Sequence, residues 1–150
     1  GIDTNNQLRM QGYGHKGVNG GPAGDLYIVF EVAQDGPFER HGDDLIIEMP
    51  LTVSQAALGD SIQVPTPYGD VKLKVPAGTQ SEKTFRLKGK GMPNLRSKGS
   101  VTGDLHIIAK VKIPTKLTKE QEKLFEQLQK TKLNASDASA WDKFKSIFKA

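Results

Sequence analysis

The chain contains no cysteine. That excludes a disulfide framework, a thiolate nucleophile and a cysteine zinc site, and it fits a reducing compartment. Histidine is scarce too: His15, His41 and His106 are scattered, which leaves no histidine cage for a metal. No run approaches the ~18 apolar residues of a membrane span, and the start lacks the basic-then-apolar layout of an export signal. The expectation is a cytoplasmic protein with no membrane partner, in which Asn134-Ala-Ser136 is a glycosylation sequon in form only. Gly-x-Ser-x-Gly, His-Glu-x-x-His and Walker sequences are missing as well. Asp43 and Asp44 are adjacent on a predicted strand and so point to opposite faces, not toward a shared proton. No enzyme chemistry is expected.

What is present is a chain of 150 residues, 36% hydrophobic, enough for one ordinary core or two small ones. Its net charge of +4 is uneven: Lys110 to Ala150 carries ten lysines against five acidic residues. A basic tail can serve nucleic acid. Here, though, the lysines alternate with glutamates on a predicted helix, and no aromatic residue lies among them before Phe125. The pattern reads as a solvated face, with a basic nucleic-acid-binding β module as the alternative function.

Gly12-x-Gly14-x-x-Gly17 has the spacing of a dinucleotide loop. Such a loop must open a helix, yet Asp25 to Ala33 alternates apolar and polar residues with the period of a strand. An internal repeat explains the glycines better. Leu8 to Gly14 aligns with Phe85 to Gly91, and Gly24 to Val32 with Gly103 to Val111. The second copy keeps Gly89-x-Gly91 but has Asn94 where the third glycine would fall. The shared feature is therefore a turn that needs positive φ, and not a phosphate cradle.

Between the copies, Asp44 to Pro50 is predicted as a strand closed by Pro50. Thr52-x-x-Gln55 forms a capping box for a helix over Val53 to Leu58, stopped by Gly59. Ser61 to Val64 and Val71 to Val75 follow as strands. With no long helix available for a parallel crossover, the expected fold is mainly β: an antiparallel sandwich-like domain with one short helix. Beyond Pro114, Thr118-x-x-Gln121 caps a helix with Leu124, Phe125 and Leu128 on one face. A last helix, capped by Ser136 or Asp137, carries a stripe of Trp141, Phe144, Ile147 and Phe148. That stripe suits packing on its own domain and partner binding alike.

Several of these segments taken together resemble the C-terminal, substrate-binding region of the DnaJ class of J-domain co-chaperones. They are Gly17-x-x-Gly20-Gly-Pro-Ala-Gly-Asp-Leu26, Phe38 to Leu45, Ala56-Ala-Leu-Gly59, Val64-Pro-Thr66, Val71 to Gln80 and Phe85 to Gly91. The resemblance implies tandem β-domains, binding of unfolded polypeptides, transfer to a DnaK-type chaperone, and a homodimer. His-Pro-Asp of the J-domain and the Cys-x-x-Cys-x-Gly-x-Gly repeats do not occur here. Zinc is thus expected only in repeats upstream of this chain, and no cofactor within it. The resemblance divides the chain into the truncated end of the first substrate-binding β-domain at 1–36, the second at 37–115 and a helical dimerisation segment at 116–150. By internal symmetry a peptide groove would lie between the Asp44 and Ser61 strands, at Leu45, Ile47, Met49, Ile62 and Val64, although apolar strand positions of this kind are more often plain core. Dimerisation would fall to Leu117, Leu124, Phe125, Leu128, Trp141, Phe144, Ile147 and Phe148.

Overall fold

The computed structural model describes the backbone of residues 1–131 and 135–148, and the side chains of 1–131 and 141–147. The chain divides into two units, Gly1–Ile113 and Pro114–Ala150.

The first unit opens with an antiparallel hairpin of β1 (Gln7–Met10) and β2 (Leu26–Val29), with Arg9 opposite Tyr27 and Met10 opposite Leu26. Near the other end of the same unit, β7 (Thr84–Leu87) pairs with β8 (Leu105–Lys112), with Arg86 opposite His106 and Leu87 opposite Leu105. These registers coincide under the alignment that the sequence repeat prescribes. The repeat is thus a structural unit of two strands and the loop between them. In the hairpin, Ile28 and Phe30 are half-buried, while Leu26 and Val32 remain 42% and 40% exposed. This apolar row is therefore covered only in its middle.

A four-stranded sheet has the order β3-β4-β8-β7, where β3 is Glu39–His41 and β4 is Asp44–Thr52. Over it lies the two-stranded β5 (Asp60–Val64) with β6 (Val71–Val75). Alternation along β4 and β8 turns Leu45, Ile47, Met49, Leu51, Leu105, Ile107 and Ala109 inward. They meet Val64, Val75 and Ala56 in one cluster, which makes two layers around one core. Leu51, Leu105, Ile107 and Val75 are fully buried. Each such burial is worth ~1.5–3 kcal/mol.

The mainly β, antiparallel-rich architecture agrees with the sequence, but one pairing differs. β4 and β8, at the centre of the sheet, run parallel, with Leu45 opposite Leu105 and Thr52 opposite Lys112. The crossover between them is not a long helix. It comprises α1 (Val53–Leu58), the β5–β6 layer and β7, of which α1 and the β5–β6 layer cover the sheet as a helix otherwise would, while β7 joins the sheet itself. β4 also runs two residues past Pro50, where it was expected to stop. Leu45 donates its backbone N–H to Asp104 O at 2.9 Å, so odd-numbered residues of β4 face β8 and even-numbered ones face β3. β3 pairs only as far as Ile46, so the missing N–H of Pro50 falls on an open side and removes no ladder bond.

α1 has the predicted limits because its signals are local. Thr52 Oγ1 accepts from Gln55 N at 3.2 Å, and Gln55 Oε1 accepts from Thr52 N at 3.0 Å. Gly59 then takes φ +80°.

In the second unit, α2 (Lys119–Lys130) starts on the same device, with Thr118 Oγ1 accepting from Gln121 N at 3.2 Å. Glu120 and Glu122 occupy its first turn and Lys130 its last, as the helix dipole favours. α3 spans Ala135–Phe148. It begins one residue before Ser136, so both expected cap positions, Ser136 and Asp137, lie inside the helix.

Candidate functional site

The glycine loops are closed by their own chain. Gly12 and Gly89 take φ +80° and +73°, the left-handed turn that the repeat called for. Asp25 follows in the Gly-Asp-Leu segment and folds back on the first loop. Its Oδ1 accepts from Gly12 N at 3.0 Å and its Oδ2 from Arg9 Nε at 2.6 Å. Asp104 does the same in the second copy, with Gly89 N at 2.8 Å and Arg86 Nε at 2.6 Å. The backbone N–H of Gly12 holds the Asp25 carboxyl below the usual carboxylate range, with the Arg9 guanidinium adding to it. Gly89 N–H does so for Asp104, against some desolvation, with Arg86 and His106 adding to it. Gly14 N and Gly91 N donate to Gly24 O and Gly103 O at 2.7 and 2.8 Å. With these amides committed internally, the Gly12-x-Gly14 and Gly89-x-Gly91 turns do not themselves present the free nest of donors that a phosphate would need.

Of the five residues expected to line a peptide groove, four are buried and Ile62 is partly buried. Leu45, Ile47, Met49 and Val64 are 4%, 7%, 6% and 2% exposed, and Ile62 is packed against the same core. β4 and β5 are not ladder neighbours: β4 lies between β3 and β8, and β5 pairs with β6. Their apolar faces meet across the two layers, where an incoming chain could reach them only by parting the sandwich.

The outer face of the same sheet is different. A cleft of about 430 Å³ lies there, with Ile46 and Ile108 in its floor, Ile47 reaching its edge, and Gln34, Pro37, Glu39 and Glu48 around it. The sequence carried a signal for it. The doublets Ile46-Ile47 and Ile107-Ile108 each put one isoleucine on either face of a strand, so one of each pair must lie outside the core. β3, which borders this face, is an edge strand with β4 as its only partner among the described residues.

A second cavity, of about 320 Å³, lies where the start of the chain meets the second half of the unit, between Asp3, Arg40, Asp43 and Arg96. Arg40 spans it from Nη1 to Ile2 O at 2.8 Å and from Nη2 to Gly1 O at 3.3 Å, and Asp3 lies 3.6 Å from its Nε. Because these contacts use the guanidinium internally, this cavity reads as a structural clasp.

In the second unit, Leu117, Leu124, Phe125 and Leu128 are exposed, as are Trp141, Phe144 and Ile147. The Trp141 and Phe144 rings stack at 5.3 Å, and Lys145 Nζ lies 5.6 Å from the centre of the Trp141 ring. Phe148, expected on the same stripe, has its side chain outside the described residues. Among the described residues no group of three or more His, Asp or Glu side chains could hold a metal ion, and no helix is long and apolar enough to cross a membrane.

The profile of the DnaJ C terminal domain matches residues 1–114. The Chaperone protein DnaJ of Geobacillus sp. (strain WCH70) is 54% identical over 153 residues, covering 99% of this chain and 40% of that protein. That of Parageobacillus thermoglucosidasius is 58% identical over 131 residues, covering 85% of this chain and 34% of that protein. The counterpart in Bacillus licheniformis is 51% identical over 152 residues. The chain belongs to the DnaJ C-terminal domain family. It spans about two-fifths of the length of these curated relatives.

Proposed function

We propose that this chain is the part of a cytoplasmic J-domain co-chaperone that binds non-native polypeptides, passes them to a DnaK-type chaperone, and self-associates through its C-terminal helices. It performs no chemistry of its own. Residues 1–36 close a first substrate-binding β-domain, 37–115 form the second, and 116–150 pair two copies.

The observation that carries this reading is the cleft over Ile46 and Ile108 beside the open edge of β3. An extended peptide can pair its backbone with a strand edge and place one or two side chains in such a cleft. That mode selects apolar, unfolded segments with little regard to sequence. Glu39 and Glu48 at the rim favour a basic residue beside the apolar one. Leu45, Ile47, Met49, Ile62 and Val64 enter this reading as the layer beneath the contact, which keeps the cleft floor in place.

The test is anisotropy of a labelled extended apolar peptide with the intact chain and with Ile46→Asp and Ile108→Asp. Each variant is expected to weaken binding about tenfold, the cost of a charge facing an apolar side chain. DnaK-type ATP hydrolysis should be unchanged by the chain. Unaltered peptide affinity in folded variants would overturn the cleft as the contact.

A further inference from the structure

From Lys83 to Gly103 the chain has six cations and no acidic residue. Arg86 is neutralised by Asp104, and Lys90 lies 5.8 Å from the centre of the Tyr68 ring. Lys88, Arg96 and Lys98 are exposed and have no ion-pair partner among the described residues. The fold does not require these charges. In the first copy, Gln11 stands at the position of Lys88 and Tyr13 at that of Lys90, and the whole loop from Gln11 to Ala23 carries a single cation, Lys16.

The loop is also held in shape. Asn94 Oδ1 accepts from Ser97 N at 3.1 Å, Gly99 N donates to Asn94 O at 3.0 Å, and Val101 N donates to Ser97 Oγ at 3.0 Å. Asn94 Nδ2 ties the loop to Asp43 Oδ2 at 2.5 Å. Within this frame Lys98 is kept at φ +52°, a conformation unfavourable for a lysine. Leu95 and Val101 are left 52% and 59% exposed between the cations. Tyr68, whose hydroxyl donates to Gly91 O at 2.7 Å, joins the tip of the β5–β6 hairpin to the same surface. A strained residue and two outward aliphatic side chains, fixed by the loop's own hydrogen bonds, are costs that a merely solvated loop would not carry.

We propose that the surface formed by Lys88, Lys90, Leu95, Arg96, Lys98 and Val101 docks an acidic peptide segment of another protein, one in which carboxylates alternate with aliphatic side chains. The carboxylates meet the unpaired cations, and the aliphatic groups cover Leu95 and Val101. Nucleic acid fits less well. Base stacking needs open aromatic faces, and Tyr68, the aromatic residue joined to this surface, already has Lys90 over its ring. This site goes beyond the cleft over Ile46 and Ile108, whose glutamates favour the opposite charge.

The test is anisotropy, at about 50 mM salt where charge contacts are weakly screened, of a labelled peptide repeating Glu-Leu-Asp-Val. Its lysine-for-acid counterpart and a labelled oligothymidylate serve as comparisons. The intact chain is compared with K88E/R96E/K98E and with K16E/K74E/K112E, which changes the net charge equally elsewhere. The loop triple variant should weaken the acidic peptide at least about tenfold and the control triple less than about twofold. Leu95→Ser should weaken the peptide about threefold and leave oligothymidylate unaffected. If a charge-reversed variant loses its native circular dichroism, the corresponding Gln variants replace it. Equal loss in both triples, oligothymidylate bound as tightly as the peptide, or no binding by the intact chain would each overturn the proposal.

Discussion

Arg86 donates from Nε to Asp104 Oδ2 at 2.6 Å across the β7–β8 ladder, while the other oxygen of Asp104 accepts the backbone N–H of Gly89. Arg9, Asp25 and Gly12 repeat this arrangement in the first hairpin. One carboxylate therefore fixes both a left-handed turn and the neighbouring strand, twice in one chain.

Acid stability should report these carboxylates. Both have folded-state pKa values below the ordinary aspartate value, chiefly through the glycine N–H bonds. Below about 3.9, the usual aspartate value, the unfolded chain binds protons that the folded chain does not. Their contribution is thus present above that pH and is lost as pH falls through the folded values. Thermal unfolding followed from about pH 5 to about pH 2 should show a falling midpoint. Asp104→Asn and Asp25→Asn should lower the midpoint at neutral pH and flatten its decline in acid. A slope unchanged in the double variant would assign the acid sensitivity to other groups.

The two glycines of each loop should respond differently to alanine. Gly89 has open space where a Cβ would stand, so Gly89→Ala suffers only the left-handed backbone, about 1 kcal/mol. At Gly91 a Cβ would sit 2.5 Å from Asp43 O, a backbone atom with little room to move. Gly91→Ala should therefore cost more, about 1–3 kcal/mol or beyond. Urea unfolding of the two variants checks the order, and the same contrast is expected between Gly12 and Gly14.

Ile46 and Ile47 should separate binding from stability. Ile47→Ala empties a buried position and should cost about 2–5 kcal/mol. Ile46→Ala, in the cleft floor, should cost less than that and weaken apolar peptide binding. Denaturation and peptide titration of both variants check this together, and a reversal of the two effects would place the contact on the inner face.

What the sequence made legible follows from the range of its signals. Thr52/Gln55 and Thr118/Gln121 are capping boxes satisfied within three residues, so they fixed two helix starts unaided. The Gly-Asp-Leu repeat carried the register of both hairpins, because each aspartate bonds to its own glycine turn. The parallel pairing of β4 with β8 joins residues sixty apart and leaves no local trace. β3 was missed because its three residues, Glu39–His41, are all polar. Alternation placed Leu45, Ile47 and Met49 on one face, yet it could not say whether that face met a second layer or a ligand. That depended on where β5–β6 would lie.

The C-terminal helices should carry self-association. Trp141, Phe144 and Ile147 are 57%, 49% and 76% exposed, and Leu124 and Leu128 of α2 are 58% and 48% exposed. Covering a large apolar side chain fully is worth about 1.5–3 kcal/mol, and these are already part-covered, so each contributes less. Association costs roughly 4–15 kcal/mol in lost freedom, so a single stripe is marginal. A two-fold contact uses every stripe twice, and the doubled burial exceeds the lower part of that range. Sedimentation should therefore show dimers for the intact chain at tens of micromolar and monomers for a version ending at Pro114, whose first unit, Gly1–Ile113, is compact. Trp141→Ser with Ile147→Asp in the intact chain should weaken the dimer at least about tenfold without altering the β-sheet circular dichroism. If the shortened chain still dimerises, the exposed hairpin residues Leu26 and Val32 become the contact. If the intact chain is monomeric, the helices do not pair two copies.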